Sequence, residues 1–134
     1  MAQPPTAGDD GIVTRVSPRP VADTVARLTD MVTARGMRVF AVIDQQAAAR
    51  EVGLDLRATT AVLFGSPRAG TPVMAAAPLS ALDLPLKVVV WADAEAAQVS
   101  YYSPAALARR YGLTADLAAG LAGVDALVEE LVAP

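Results

Sequence analysis

Residues 86–91 read Leu-Lys-Val-Val-Val-Trp and residues 98–102 read Gln-Val-Ser-Tyr-Tyr, with the short turn Asp93 to Ala97 between them. Both runs are rich in β-branched and aromatic residues, which suit a pleated, half-buried surface. A connection this short joins antiparallel neighbours, because a parallel crossover needs a dozen or more residues. This pair therefore sets the class of the sheet.

Working outward, Thr59 to Phe64 (TTAVLF) and Met37 to Ile43 (MRVFAVI) read as two further strands. In residues 11–16 (GIVTRV), Ile12, Thr14 and Val16 alternate with Val13 and Arg15, the period of a half-buried strand. Ser17-Pro18 reads as a helix cap and first helical position. Val21, Val25, Leu28 and Val32 then form an apolar stripe that Gly36 ends, giving a helix over 18–35. Asp44 caps a short helix over Gln45–Val52, closed by Gly53. Arg68 to Pro78 reads as a loop centred on Gly70-Thr71-Pro72, with at most a helical turn near Met74–Ala77. Ser103-Pro104 opens a short helix to Tyr111, and Thr114 caps a last helix over 114–132. Leu117, Leu121, Val124, Leu127, Val128 and Leu131 are its apolar face. Gly120 and Gly123 inside that helix each cost about 1 kcal/mol relative to Ala, which points to close packing against a neighbouring backbone. The expected fold is α+β, a mostly antiparallel sheet with helices packed on one face. Residues 1–10 are expected to be a disordered tail and 11–134 a single domain.

Composition narrows the chemistry. A chain of 134 residues is sized for one core. Cysteine and histidine are both absent, which removes disulfides, thiolate metal sites, Cys nucleophiles and the commonest general base and zinc ligand. No cofactor and no metal are expected. The net charge is −3 and the eleven basic residues are scattered, unlike a nucleic-acid-binding surface. No apolar run reaches the ~18 residues of a membrane span, and MAQPPTAGDDG lacks the features of a signal peptide, so a cytoplasmic protein of bacterial composition is expected.

Several residues could carry a site. Lys87 and Trp91 share a strand face with Val89 between them, since strand side chains alternate; the lysine could face a ligand or lie over the indole. Asp83 and Asp93 flank that strand and could do acid–base work, although turn positions favour Asp for local hydrogen bonds. Gly70-Thr71-Pro72 lacks the lysine of a phosphate-binding loop. Arg57, beside Thr59 and Thr60, suits a carboxylate or an ion pair. Of the adjacent Tyr101 and Tyr102, one should enter the core and one an edge or interface. Met74 suits core filling better than metal binding.

Leu63-Phe64-Gly65-Ser66-Pro67, Gly70-Thr71-Pro72-Val73-Met74, Leu82-Asp83-Leu84-Pro85-Leu86-Lys87, Trp91-Ala92-Asp93 and Ser100-Tyr101 together resemble the bacterial "domain of unknown function 302" family, over roughly Gly11 to Leu113. The resemblance implies a TBP-like α+β fold and a homodimer. Where that family commonly carries Asp-His, Asn, Glu and Asn, this chain has Asp44-Gln45, Ser66, Ala92 and Tyr102. Those are the polar groups a catalyst would need most.

The functional expectation is a homodimeric, ligand- or partner-binding domain, with neither nucleic acid nor membrane as partner. Its ligand-facing candidates are Arg57, Phe64, Ser66, Thr71, Met74, Lys87, Trp91, Asp93 and Tyr101. They would lie on a surface shared by the 64–74 loop and the Lys87–Trp91 strand. Two alternatives stand beside it: a metal-independent enzyme of hydrolase or isomerase type using Lys87 with Asp83 or Asp93, and a structural or sensor subunit of a larger assembly.

Overall fold

Among the described residues, the apolar runs become five strands: β1 Ile12–Ser17, β2 Arg38–Asp44, β3 Thr59–Gly65, β4 Leu86–Asp93 and β5 Ala96–Tyr102. The computed structural model describes residues 7, 8, 10–94 and 96–134. Most of the expected tail, residues 1–6 and 9, lies outside the described residues. Every pairing in the sheet is antiparallel, in the order β1-β5-β4-β3-β2. The fold is α+β, as the short β4–β5 connection requires. That connection is tighter than expected: Asp93 pairs with Ala96, and Ala94 takes φ of 51°, the left-handed conformation that two-residue hairpins demand.

Strand alternation divides the sheet into two faces. Val13, Tyr101, Val88 and Val62 are aligned partners on one face. Each is buried, in one core with Leu28, Val32, Val124, Leu127, Val128 and Leu131. These last six come from α1 (Val21–Ala34) and α6 (Gly123–Leu131), so both helices cover the same face. Thr14, Ser100, Val89, Ala61 and Ile43 are aligned on the other face.

The remaining elements are α2 Gln45–Glu51, α3 Pro67–Ala76, a 3-10 turn at Pro78–Leu82, α4 Pro104–Tyr111 and α5 Ala115–Ala119. Side-chain caps fix four of the helix starts: Asp44, Ser66, Ser103 and Thr114 each accept a backbone N–H three residues on. Gly112 ends α4 in the left-handed conformation with φ of 62°.

Three sequence expectations need correction. Helix α1 begins at Val21 and not at Pro18. Arg19 precedes Pro20 and is pushed toward extended backbone, which delays the helix by a turn. Ser17 therefore ends β1, where its hydroxyl accepts from the Arg19 N–H at 3.1 Å and pairs with the Thr24 hydroxyl at 2.7 Å. Second, Arg68–Pro78 is mostly the helix α3. Pro72 cannot donate to the carbonyl four residues back, but complete burial of Val73 and the Ser66 cap with Pro67 in the first turn outweigh that loss. Third, the single helix expected over 114–132 is two helices, interrupted between Ala119 and Gly123. At Gly120 an added Cβ would lie 3.3 Å from the Ala69 Cβ and 3.7 Å from the Ala69 carbonyl oxygen. The glycine thus permits the backbone contact with α3 at the bend. Gly123 meets nothing within 4 Å.

Candidate functional site

The bend between α5 and α6, helix α3, the end of β3 and the start of β4 border a half-open cavity of about 580 Å³. Period-two alternation in β3 turns Phe64 toward the helices, where it is fully buried and forms part of the wall. Leu86 from β4, Met74 from α3 and Leu121 with Val124 from the bend supply the rest of the apolar lining. Four glycines, Gly65, Gly70, Gly120 and Gly123, also border the space. At Gly65, Gly70 and Gly123 an added Cβ would meet nothing closer than 3.9 Å, so these positions leave volume that larger residues would fill, whereas Gly120 is closed against Ala69.

The rim is polar and of one sign. Arg35 caps the end of α1 and Arg38 opens β2, and both line the cavity. Arg35 is ion-paired with Glu130 of α6. The Arg38 guanidinium lies 5.5 Å from the centroid of the Phe40 ring and has no carboxylate partner among the described residues. Phe40 falls at an irregularity in the β2–β3 register, between Val39 and Ala41. Such bulges re-aim side chains, and its ring joins the cavity wall. Ser66 and Thr71 add two hydroxyls. No aspartate or glutamate lines the space.

The nine sequence-derived candidates separate into groups. Phe64, Ser66, Thr71 and Met74 converge on the cavity. Lys87 and Trp91 do not join them, so a surface shared by the 64–74 segment and the Lys87–Trp91 strand is not formed. Val88 and Val90 are core residues, and strand alternation therefore sends Lys87, Val89 and Trp91 to the opposite face. There the Trp91 indole N–H donates to the Ser100 hydroxyl at 3.0 Å, which in turn pairs with the Thr14 hydroxyl at 2.9 Å. Lys87 is exposed. Arg57 is exposed ahead of β3, and its carbonyl accepts from the Thr59 hydroxyl at 2.9 Å. Asp93 is exposed at the hairpin.

Tyr101 is the core member of the tyrosine pair and Tyr102 the exposed one. The Tyr101 phenol donates to Asp125 of α6 at 2.7 Å. Burial, and then this bond to a carboxylate, push its pKa above the ordinary tyrosine range. A phenol whose pKa is raised on folding stabilises the protein fully below the unfolded value, ~10, and loses that contribution as pH climbs beyond it. Tyr101→Phe should therefore cost about 1–2 kcal/mol at neutral pH and flatten the fall in stability above ~pH 10. Chemical denaturation at a series of pH values measures both effects.

Asp83 belongs to another contact. It accepts from Arg110 at 3.1 Å and from the Tyr111 phenol, tying the 3-10 turn to α4. The bond to Asp83 raises the Tyr111 pKa, and the same carboxylate raises that of Arg110. Asp83 and Asp93 are thus committed to different surroundings, the first to an ion pair and the second to the hairpin.

Sequence reading missed Arg35, Arg38, Phe40, Leu121, Val124 and the glycine borders. The only local signal was Arg35-Gly36-Met37-Arg38, two guanidinium groups on either side of a helix stop. Among the described residues no helix is long and apolar enough to cross a membrane, and no group of three or more Cys, His, Asp or Glu could hold a metal ion.

A family model described as "Domain of unknown function DUF302" matches residues 13–131. The protein named Fluoride-specific ion channel FluC 1 of Brucella suis biovar 1 is 38% identical over 120 residues, which is 86% of this chain and 47% of that protein. The Brucella abortus biovar 1 protein of the same name shows the same identity, with 44% of its length covered. The chain thus spans less than half the length of these curated relatives. A crystal structure of an uncharacterized conserved DUF302 protein from Bacillus stearothermophilus superposes with a TM-score of 0.76, at 18% identity, covering 91% of this chain and 95% of that one. Its likeness is one of fold.

Proposed function

The chain belongs to the DUF302 family, a domain of unknown function, and on that footing we propose that it is a binding module that holds a largely apolar small molecule in the cavity between Phe64, Met74 and Val124. The observation that carries this reading is the cavity itself. Its volume, about 580 Å³, falls within the roughly 300–1,000 Å³ of ligand sites, which are typically apolar with a few placed polar groups. Arg35, Arg38, Ser66 and Thr71 are those groups here. Catalysis has less support. Lys87 is exposed and lies on the face away from the cavity, and Asp83 is held by Arg110 and Tyr111.

Gly123→Leu tests the assignment. Gly123 borders the cavity, and a Cβ there has open space around it. The variant should fold with equal or slightly higher stability, because glycine is a poor helix former by about 1 kcal/mol. It should lose binding of an apolar probe such as decanol by calorimetry. Retained binding would place the ligand elsewhere.

A second part of the reading concerns assembly. The sheet face away from the helices exposes Ile12, Val16, Ile43 and Tyr102, with Val16 at 59% and Tyr102 at 41% exposure. Ile12, Val16 and Tyr102 group at the β1–β5 edge, with Ile43 on the opposite edge strand. Exposed apolar surface of this kind marks an interaction site, and we assign the β1–β5 group to a second copy of the chain. Val16→Glu should convert a dimer to a monomer in light scattering at tens of micromolar, whereas a monomeric wild type would remove the assignment. The Brucella relatives are named as fluoride-specific ion channels and are about twice as long as the matched region. The greater length of those relatives supports a reading of this domain as one part of a larger assembly.

A further inference from the structure

We infer that the cavity takes an amphipathic carboxylate, with its apolar body inside and its carboxylate bound to the Arg38 guanidinium at the rim. The inference rests on the reading of the cavity as a ligand site and adds the chemical class of the ligand. The interior selects an apolar body, because Phe64, Leu86, Leu121 and Val124 offer no hydrogen bonds from their side chains. The rim selects the head group.

Arg35 has its charge answered by Glu130. Arg38 has no carboxylate partner among the described residues, and its guanidinium lies 5.5 Å from the centroid of the Phe40 ring. No carboxylate of the described residues occupies the five N–H donors of Arg38, whose planar fork is the geometry a carboxylate matches in a bidentate bond. The ring also limits the rotamer freedom that binding would otherwise remove.

Charge around the site agrees with this choice. The protein carries a net charge of −3, yet its cavity is bordered by two arginines and by no acidic residue. A cationic head group would meet Arg38 with no carboxylate to offset it. A neutral one would leave the charge of Arg38 unused. A phosphate monoester brings almost two charges to a single uncommitted guanidinium, whereas a carboxylate brings one, in a plane that fits the fork.

Calorimetric titration of the full chain with decanoate, decanol and decylammonium, each below its micelle-forming concentration, tests the proposal. Decanoate should bind roughly tenfold tighter than decanol, as a charge-assisted hydrogen bond at a partly exposed site implies, and decylammonium should bind weakest. Arg38→Gln should erase the advantage of decanoate while leaving the affinity for decanol unchanged. Arg38→Lys, which keeps the charge without the fork, should restore part of it. Equal binding of decanoate and decanol, or an equal loss of both in Arg38→Gln, would overturn the carboxylate assignment and leave the cavity assignment standing. Binding of none of the three would overturn both. Circular dichroism of each variant confirms that the fold is kept, which the exposure of Arg38 favours.

Discussion

Leu127→Ala should destabilise the domain by about 2–5 kcal/mol, since it removes buried methyl groups and leaves a void that neighbouring elements close only in part. Leu127 is completely buried on α6 in the same core as Leu28, Val32, Val62 and Val88. It packs at the layer where the two helices meet the sheet. Native domains have only about 5–15 kcal/mol of stability in total, so the loss is a large share of it. Urea denaturation should register it as a lower midpoint at unchanged slope, the sign of a stability change in a two-state protein. Leu79→Ala is the control. Leu79 is also a leucine but is 71% exposed, and its truncation should stay within about 0.5 kcal/mol. Equal effects at the two positions would mean that the core is not where the sheet register puts it.

Gly11→Ala should be nearly as damaging, by about 2–4 kcal/mol, through two separate costs. Gly11 has φ of +81°, which disfavours a side chain, and its Cβ would stand 2.7 Å from the Ala106 Cβ. The backbone there cannot easily retreat, because the Gly11 carbonyl accepts from the Ser103 N–H at 2.8 Å and Ser103 caps α4. Gly36→Ala separates the two costs. Gly36 has φ of +75° but nothing within 4 Å of a built Cβ, so it should show the conformational cost alone, roughly 1–2 kcal/mol. Thermal melts of the pair measure the difference. A Gly11 variant no worse than the Gly36 variant would show that β1 and α4 are not packed as described.

Much of the sheet was legible because a strand's faces alternate with a period of two. Val88 and Val90 against Lys87 and Trp91, and Tyr101 against Tyr102, sort themselves by that rule alone. Helix starts were legible where a capping residue stood without competing signals, as at Asp44, Ser103 and Thr114. Ser66-Pro67 carries the same cap and proline as Ser103-Pro104. Its helix was hidden by Gly70 and Pro72, whose local costs are offset by burial of Val73 against distant elements. The break between α5 and α6 was hidden for a related reason. The apolar spacing from Leu117 to Leu131 suits one helix, and only the approach of Ala69 to Gly120 bends it.

The site was legible only in part. Phe64, Ser66, Thr71 and Met74 lie close in sequence and were found together. Arg38, Leu121 and Val124 reach the same cavity from β2, the α5–α6 bend and α6, far from that stretch in sequence. No periodicity or spacing connects them. A cavity made partly of missing side chains has no residue to announce it. Lys87 and Trp91 lie away from this cavity for the same reason, because adjacency in the primary sequence says nothing about which side of a sheet faces a distant helix.

The most direct test of the ligand-binding account is a methyl NMR titration of the full chain with decanoate. The account predicts shifts concentrated at the Met74, Leu86, Leu121 and Val124 methyls that line the cavity, with those of Val16 and Val89 on the opposite face unchanged. Saturable shifts on that opposite face, or none at the cavity methyls, would contradict it.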